Sequence, residues 1–349
     1  MTVIGRITLE KRISNPRFQA KIRHFKHWHA LCLLYKRKLK KNEKVKNEKE
    51  KKNNNYALKV FHGGGKSRQL LCFNDKIAIP KTLEDKVVEW YHSTLCHPGR
   101  DRTEQTIRQH FWWPKLSEQV RSKCARCHIC QQNKRSGTKY GILPEKEAEC
   151  IPWDRLCVGD LIGPYTIDRE DNDEPLTLWC VTMIDPATGW FEIKEIKEKS
   201  ADYIANLVEL TWITRYPTPD IVVYDRGTKF MAEFAKMMGE DYGIKTKSIT
   251  VRNPQANAII ERVHATIGNM LRTFKYEDLD QEDPWSGILA AVMFATRATY
   301  HTTLGATPAQ LVFGRDAILN TKFEANWNHI KQRKQEIIKK NNADRKSVV

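Results

Sequence analysis

Long apolar runs are missing from this 349-residue chain. No stretch approaches the roughly 18 apolar residues that would span a bilayer, so no membrane association is expected. The N-terminus, "MTVIGRITLEKR", lacks the apolar core of a secretory signal, and secretion is not expected either. There is no internal repeat. Acidic residues are in short supply: 42 Asp and Glu face 59 Lys and Arg, a formal charge of +17. An excess of that size points to a polyanionic partner, nucleic acid before membrane. One segment supplies part of it. Residues 36–52, "KRKLKKNEKVKNEKEKK", hold ten basic and three acidic residues, which leaves +10 on the rest.

What is present divides along the chain. Residues 1–55 read as a basic, largely disordered arm, because the Lys/Glu/Asn run carries almost nothing apolar to bury. Residues 56–135 read as a compact module. "KIAIP" is strand-like, and "KTLEDKVVEWYH" has the period of a helix with Thr82 as its N-cap and Leu83, Val87, Val88 and Tyr91 inward. "RTEQTIRQHF" and "KLSEQVRSKCARC" predict two more helices, and 136–152 reads as a linker. From 153 onward, strand and helix patterns alternate. "DRLCVGDLIGPY", "LTLWCVTMID" and "WFEIKEI" are β-like, "SADYIANLVELTWITRY" is helical, "DIVVYD" and "GIKTKSIT" are strands, and two long helices follow. This order predicts an α/β fold, a mixed sheet flanked by helices. Residues 311–349 read as an extended piece followed by a basic helix, with 313–349 as a basic C-terminal tail.

Three acids stand in apolar settings: Asp160 in "CVGDLIG", Asp225 at the end of "IVVYD", and Glu261 in "NPQANAIIERVH". Active sites of α/β sheets gather at the carboxyl ends of strands, beside helix starts. Pro254 suits the first position of the helix, and Ile260, Val263, Ile267, Met270 and Phe274 mark its buried stripe, with Glu261 next to it. Three converging carboxylates repel unless a cation is present. Oxygen ligands select Mg2+ or Mn2+, and two such ions about 4 Å apart suit phosphodiester chemistry. Taken singly, each acid would be read as a cap, turn or surface charge. Asp185, in "MIDPATGW", is read that way, as part of an Asp-Pro-x-x-Gly turn.

A second constellation precedes the sheet. "WYHSTLCHPGR" holds His92 and His97, and "KCARCHICQQNK" holds Cys124, Cys127 and Cys130. Clustered cysteines in an intracellular chain favour metal over disulfides. Two imidazoles and two thiolates make a closed, tetrahedral structural zinc site. Cys124–Cys127 and Cys127–Cys130 both have the Cys-x-x-Cys spacing, so the residues alone leave the pair open.

These words together resemble the integrases of gypsy-type LTR retrotransposons and, more broadly, retroviral integrases. Asp160, Asp225 and Glu261, with 35 residues between the last two, resemble the D,D-35-E signature. "WDRLCVGDLIGPY", "VVYDRGTKF" and "NPQANAIIERVH" agree in context, and the likeness covers roughly residues 75–315. The resemblance implies an RNase H-like catalytic core over 153–312, preceded by a small helical zinc-binding domain. It implies that Asp160, Asp225 and Glu261 bind the catalytic Mg2+ or Mn2+, and that Arg252 and Asn257 lie near the DNA end. In the family's zinc pattern Gln follows the second Cys, which implies His92, His97, Cys127 and Cys130 as the zinc ligands and leaves Cys124 as a bystander or substitute. Two residues depart from the family. Lys229 stands where an acidic or amide residue is usual, and Ala258 where the helix often begins with Gly.

The activity implied is metal-dependent 3′-end processing and strand transfer of retroelement DNA, by a homo-oligomer on DNA, in the nucleus or in the cytoplasm before import. The family's further small β-barrel is not reached before residue 349, as expected of a polyprotein fragment or of a degenerate or repurposed copy. The competing reading is a catalytically silent DNA- or chromatin-binding protein derived from an integrase. A ribonuclease H proper is disfavoured by the zinc constellation and the 35-residue spacing.

Overall fold

A computed structural model of the chain describes residues 55–63, 66–134, 151–159, 161–167, 176–225, 231–249, 258–274, 284–319 and 321–346. The expected arm and linker lie almost wholly outside them. The described residues fall into two compact units. One draws on the described residues within Met1–Ser93, Gly99–Cys127 and Asp278–Gly287, the other on those within Thr94–Pro98, His128–Glu277 and Ile288–Val349.

The first unit opens with a hairpin. β1 (Tyr56–Gly63) and β2 (Lys66–Phe73) pair antiparallel from Tyr56 opposite Phe73 to Gly63 opposite Lys66. Asn74 and Asp75 then turn the chain with φ of 45° and 67°, a left-handed conformation that Asn and Asp adopt at low cost. β3 (Lys76–Ala78) returns beside β2, and β4 (Phe111–Trp112) lies parallel to β3. Phe73 stacks on Trp112 at 3.8 Å between ring centroids. Leu58 and Val60 of β1 remain exposed.

Helix α1 (Lys81–Thr94) buries Leu83, Val87, Val88 and Tyr91, the face its period predicts. Thr82 lies inside this helix rather than capping it, because the chain already turns at Pro80, whose carbonyl accepts Leu83 N–H. Glu84 is also buried. Its carboxylate accepts a 2.7 Å hydrogen bond from Gln119 Nε2 of α3 (Leu116–Arg126), and Gln119 in turn accepts from Trp113 Nε1. A buried charge without such partners would be costly. Between α1 and α3 runs α2 (Arg100–Arg108).

The second unit is a mixed sheet with helices. Its strands are β5 (Arg155–Val158), β6 (Ile162–Ile167), β7 (Leu176–Ile184), β8 (Phe191–Glu195), β9 (Ile221–Asp225) and β10 (Lys245–Ile249). Cys180 of β7 is opposite Ile162 of β6 and also Glu195 of β8, so those two strands flank β7 on opposite sides. Met183 is opposite Val158 of β5 and Glu192 of β8 by the same logic. β5 and β6 are therefore two halves of one interrupted strand. The spatial order is β10, β9, β5/β6, β7, β8, antiparallel across the β5/β6–β7–β8 meander and parallel from β5 through β9 to β10. That is the mixed sheet the strand and helix order predicts, in the RNase H-like arrangement the resemblance implies.

The core of the sheet includes Leu156, Val158, Val181, Met183, Val222 and Tyr224, with Trp212, Phe234 and Met238 from the helices. Helix α5 (Ala201–Val208) follows Ser200 and widens into a π-turn over Glu209–Ile213. After it come α6 (Met231–Lys236), α7 (Ala258–Leu271) and α8 (Pro284–Ala298). Arg297 of α8 pairs with buried Glu192 of β8 at 2.6 Å, donates to the Phe191 carbonyl and stacks over Trp190, while Tyr216 OH donates to the same carboxylate at 2.5 Å.

The stretch expected to be extended after residue 311 begins within a helix instead. Thr307 and Gln310 form a reciprocal capping box at the start of α9 (Pro308–Phe313), which Gly314 closes at φ 61°. The last described element, α10 (Trp327–Lys346), buries Ile330, Lys334 and Ile338 on one stripe. The Lys334 ammonium is held by the Pro186 carbonyl at 2.9 Å. Among the described residues, no helix is long and apolar enough to cross a membrane.

Candidate functional site

His92 falls in the last turn of α1 and is almost fully buried. Leu95, Cys96 and His97 then reverse the chain. Cys96 and His97 take φ of 56° and 57° in succession, a conformation that costs a non-glycine residue about 1 kcal/mol or more. The surroundings sustain the turn: Leu95 and Cys96 are buried, and Lys134 Nζ donates to the His97 carbonyl. α3 ends at Cys127, whose extended backbone (φ −69°, ψ 109°) breaks the helix. A short helix α4 (His128–Asn133) follows and carries Cys130.

These pieces bring His92, His97, Cys127 and Cys130 together, with one ligand atom from each lying within 4.8 Å of the others. It is the one such group among the described residues. Cys130 Sγ is 3.8 Å from His97 Nδ1. Bound zinc, with its usual bond lengths, would set such atoms about 3.3–3.8 Å apart, so only a small contraction separates this cluster from a tetrahedral shell. Two nitrogens and two sulfurs are also the donor set that selects zinc. Cys124 is not in the group, yet its Sγ is 3.6 Å from His92 Nδ1.

The carboxylates are described by their backbone alone or not at all. Asp225 is the last residue of β9, in register with Ile249 of β10. Val158 of β5 is in register with Tyr224, so the carboxyl ends of β5 and β9 lie side by side. Asp160 falls between Gly159 and Leu161, in the interruption between β5 and β6, and lies outside the described residues. Glu261 is the fourth residue of α7. The side chains of Asp225 and Glu261 lie outside the described residues, as do Arg252, Asn257 and Lys229 entirely. Ala258 is the first residue of α7. Of the expected buried stripe, Ile267 and Met270 are buried, and Val263 and Phe274 are half-buried.

Asp185 is structural, in line with its sequence context. It is fully buried and accepts from Ala187 N–H at 2.9 Å, Thr188 Oγ1 at 2.7 Å, and the Thr188 and Trp153 N–H groups at 3.3 Å. Burial pushes its carboxyl above the usual range, and those donors oppose the shift.

One polar contact near the carboxylates escapes sequence reasoning. His264, three residues after Glu261, shares a 2.7 Å hydrogen bond between its Nε2 and Thr182 Oγ1 of β7. Burial pulls the imidazole down to about 4. His264 stands in the motif read from sequence, but its partner is 82 residues away, and no local signal connects the two.

Comparison with known proteins completes the picture. Residues 79–136 match the integrase zinc binding domain family. The Pro-Pol polyprotein of simian foamy virus type 3 is 24% identical over 248 residues, 71% of this chain and 20% of that protein. The retrovirus-related Pol polyprotein from transposon 412 of Drosophila melanogaster is 24% identical over 249 residues, again 71% of this chain and 19% of its own length. A gypsy retrotransposon integrase-like protein of Bos taurus is 23% identical over 228 residues, 64% of this chain and 43% of that one. A chain of a simian T-cell lymphotropic virus intasome bound to a PP2A regulatory subunit is similar at 15% identity and a TM-score of 0.44, covering 70% of this chain and 76% of that one. The chain spans about a fifth of the length of the first curated relatives it matches. The family-model match and the Pol polyprotein and integrase-like relatives bear out the resemblance to retroviral and retrotransposon integrases.

Proposed function

We propose that this chain is a DNA integrase that processes the 3′ ends of retroelement DNA and transfers them into target DNA. The observation that carries this reading is the meeting of the carboxyl ends of β5 and β9, with Asp160 following the first and Asp225 ending the second, while α7, the helix that contains Glu261, is tied through His264 to the adjoining strand β7. The relatedness to Pol polyproteins and to an integrase-like protein supports it.

In this reading Asp160, Asp225 and Glu261 hold Mg2+ or Mn2+, for which three carboxylates are a fitting hard-oxygen donor set. The cations supply charge neutralisation and Lewis acidity at phosphorus. In the first step water attacks a phosphodiester near the element's end, the P–O bond breaks, and a 3′-hydroxyl is freed. In the second that hydroxyl attacks a target phosphodiester and displaces a new 3′-hydroxyl. Both are in-line displacements, and no protein nucleophile takes part. The basic excess of the chain holds phosphates, which makes binding steeply salt-dependent and gives little reading of target sequence. Arg252 and Asn257 hold the element's end beside the carboxylates. His92, His97, Cys127 and Cys130 hold zinc, which folds their module. The protein acts in the nucleus, as a homo-oligomer that joins two DNA ends.

The test uses purified chain, Mn2+ and labelled duplexes. Wild type should nick or join DNA. Glu261→Gln should reduce this to background while DNA affinity persists. Wild type that binds DNA across many candidate ends and never cuts would leave the binding-protein reading in its place.

A further inference from the structure

The three carboxylates come from separate elements, and apolar packing alone aligns such elements loosely, because it is not directional. Ile267 and Met270 form the buried face of α7, but a helix held only by apolar contacts can slide along its axis. Thr182 supplies direction. It lies on β7 and is 3% exposed. Its carbonyl accepts the Gly159 N–H at 2.8 Å, one residue before Asp160. Its hydroxyl shares the 2.7 Å hydrogen bond with His264 Nε2, about one helical turn beyond Glu261. One buried residue thus grips both the chain leading into Asp160 and the helix carrying Glu261.

We propose that the Thr182–His264 pair is a positioning latch that fixes the height of α7 on the sheet and with it the spacing of Glu261 from Asp160. The pair is suited to this. Burial keeps the ring neutral at ordinary pH, so one nitrogen donates, the other accepts, and no charge has to be buried. Both partners sit on regular elements rather than loops, which holds the geometry closely. A misplacement of about 1 Å in such a site can cost on the order of a hundredfold in rate. The catalytic consequence rests on the integrase reading, whereas the latch itself does not.

Two measurements on the full chain test it. In the Mn2+ nicking assay, Thr182→Val and His264→Leu should each lower turnover by roughly tenfold to a hundredfold, with DNA affinity unchanged. Thr182→Ser, which keeps the hydroxyl, should restore most of the rate. The double variant should lose no more than either single one, since the two residues act as a unit. Full turnover in Thr182→Val, or single losses that multiply, would overturn the proposal. Amide hydrogen exchange gives a readout independent of activity. Thr182→Val should lower protection across Arg262–Ile267 while the core strands stay protected. Unchanged exchange there sinks the latch even if nicking is normal. Should wild type never nick DNA, the integrase reading fails, and the exchange result still decides the latch.

Discussion

The two candidate metal centres are assembled in opposite ways. The His/Cys cluster spans residues 92 to 130 and is delivered by the ends of α1, α3 and the short α4, with one strained turn at Cys96–His97. The carboxylates span residues 160 to 261, and among the described residues sheet register and the Thr182–His264 bond connect their elements. On the proposed reading, the first centre is a local device whose ion would hold a small module together, and the second is a product of topology, its strands set by sheet register.

Removing the ion-binding residues of the local device should have the largest effect. Cys127→Ser with Cys130→Ser should abolish zinc, about one ion per chain in wild type, and unfold the 79–136 module. Apparent zinc-binding energies on the order of 10 kcal/mol or more are at stake in such domains. Metal analysis and helical circular dichroism check this. Cys124→Ser serves as the control and should keep the zinc, since Cys124 reaches His92 but not the whole group. Loss of the ion in Cys124→Ser alone would transfer the ligand role to that residue.

The difference between the centres also explains what the sequence disclosed. Ligand spacing is a local property, so the His/Cys set could be read directly, with the Cys-x-x-Cys ambiguity left to family pattern. The sheet could be read because apolar strands such as "DIVVYD" and "LTLWCVTMID" need burial on both faces. The β1–β2 hairpin leaves no such signal, since Leu58 and Val60 lie exposed and its pattern points to no core. Helix α9 spans only six residues, too few to show a period, although Thr307-Pro308-Ala309-Gln310 is a capping box. Thr82 has the residue type of a cap, but the turn at Pro80 makes a cap there unnecessary. Partnerships over long sequence distances, such as Thr182 with His264 or Glu192 with Arg297, leave no local trace at all.

A smaller loss should separate the sheet from the zinc module. Glu192 is 5% exposed and Arg297 21% at the side chain. Arg297→Ala leaves the carboxylate with Tyr216 alone, and an uncompensated buried charge typically costs about 3–5 kcal/mol. Chemical denaturation should show a loss of that order, with zinc content unchanged. A loss well under 1 kcal/mol would mean that the sheet does not depend on this network, and the contrast between the two centres would weaken.

The smallest effect expected is a pH dependence. The His264 ring is pulled by burial from about 6.5 in an unfolded chain to about 4 in the folded one. The unfolded state therefore takes up a proton first as pH falls. Stability from this residue is fully present above pH 6.5 and drains away between 6.5 and about 4. A full shift would be worth about 3 kcal/mol, but the ring is half-buried rather than sealed, so about 1–3 kcal/mol is expected. Acid also releases zinc, because its ligands take up protons, and both losses would overlap in wild type. The measurement is accordingly a difference: wild type minus His264→Gln, each unfolded by denaturant at pH 7 and pH 5. Gln cannot titrate in this range, so the variant should lose less stability on acidification than wild type. Equal losses in the two proteins would assign the whole acid sensitivity to the His/Cys cluster and leave the sheet indifferent to His264.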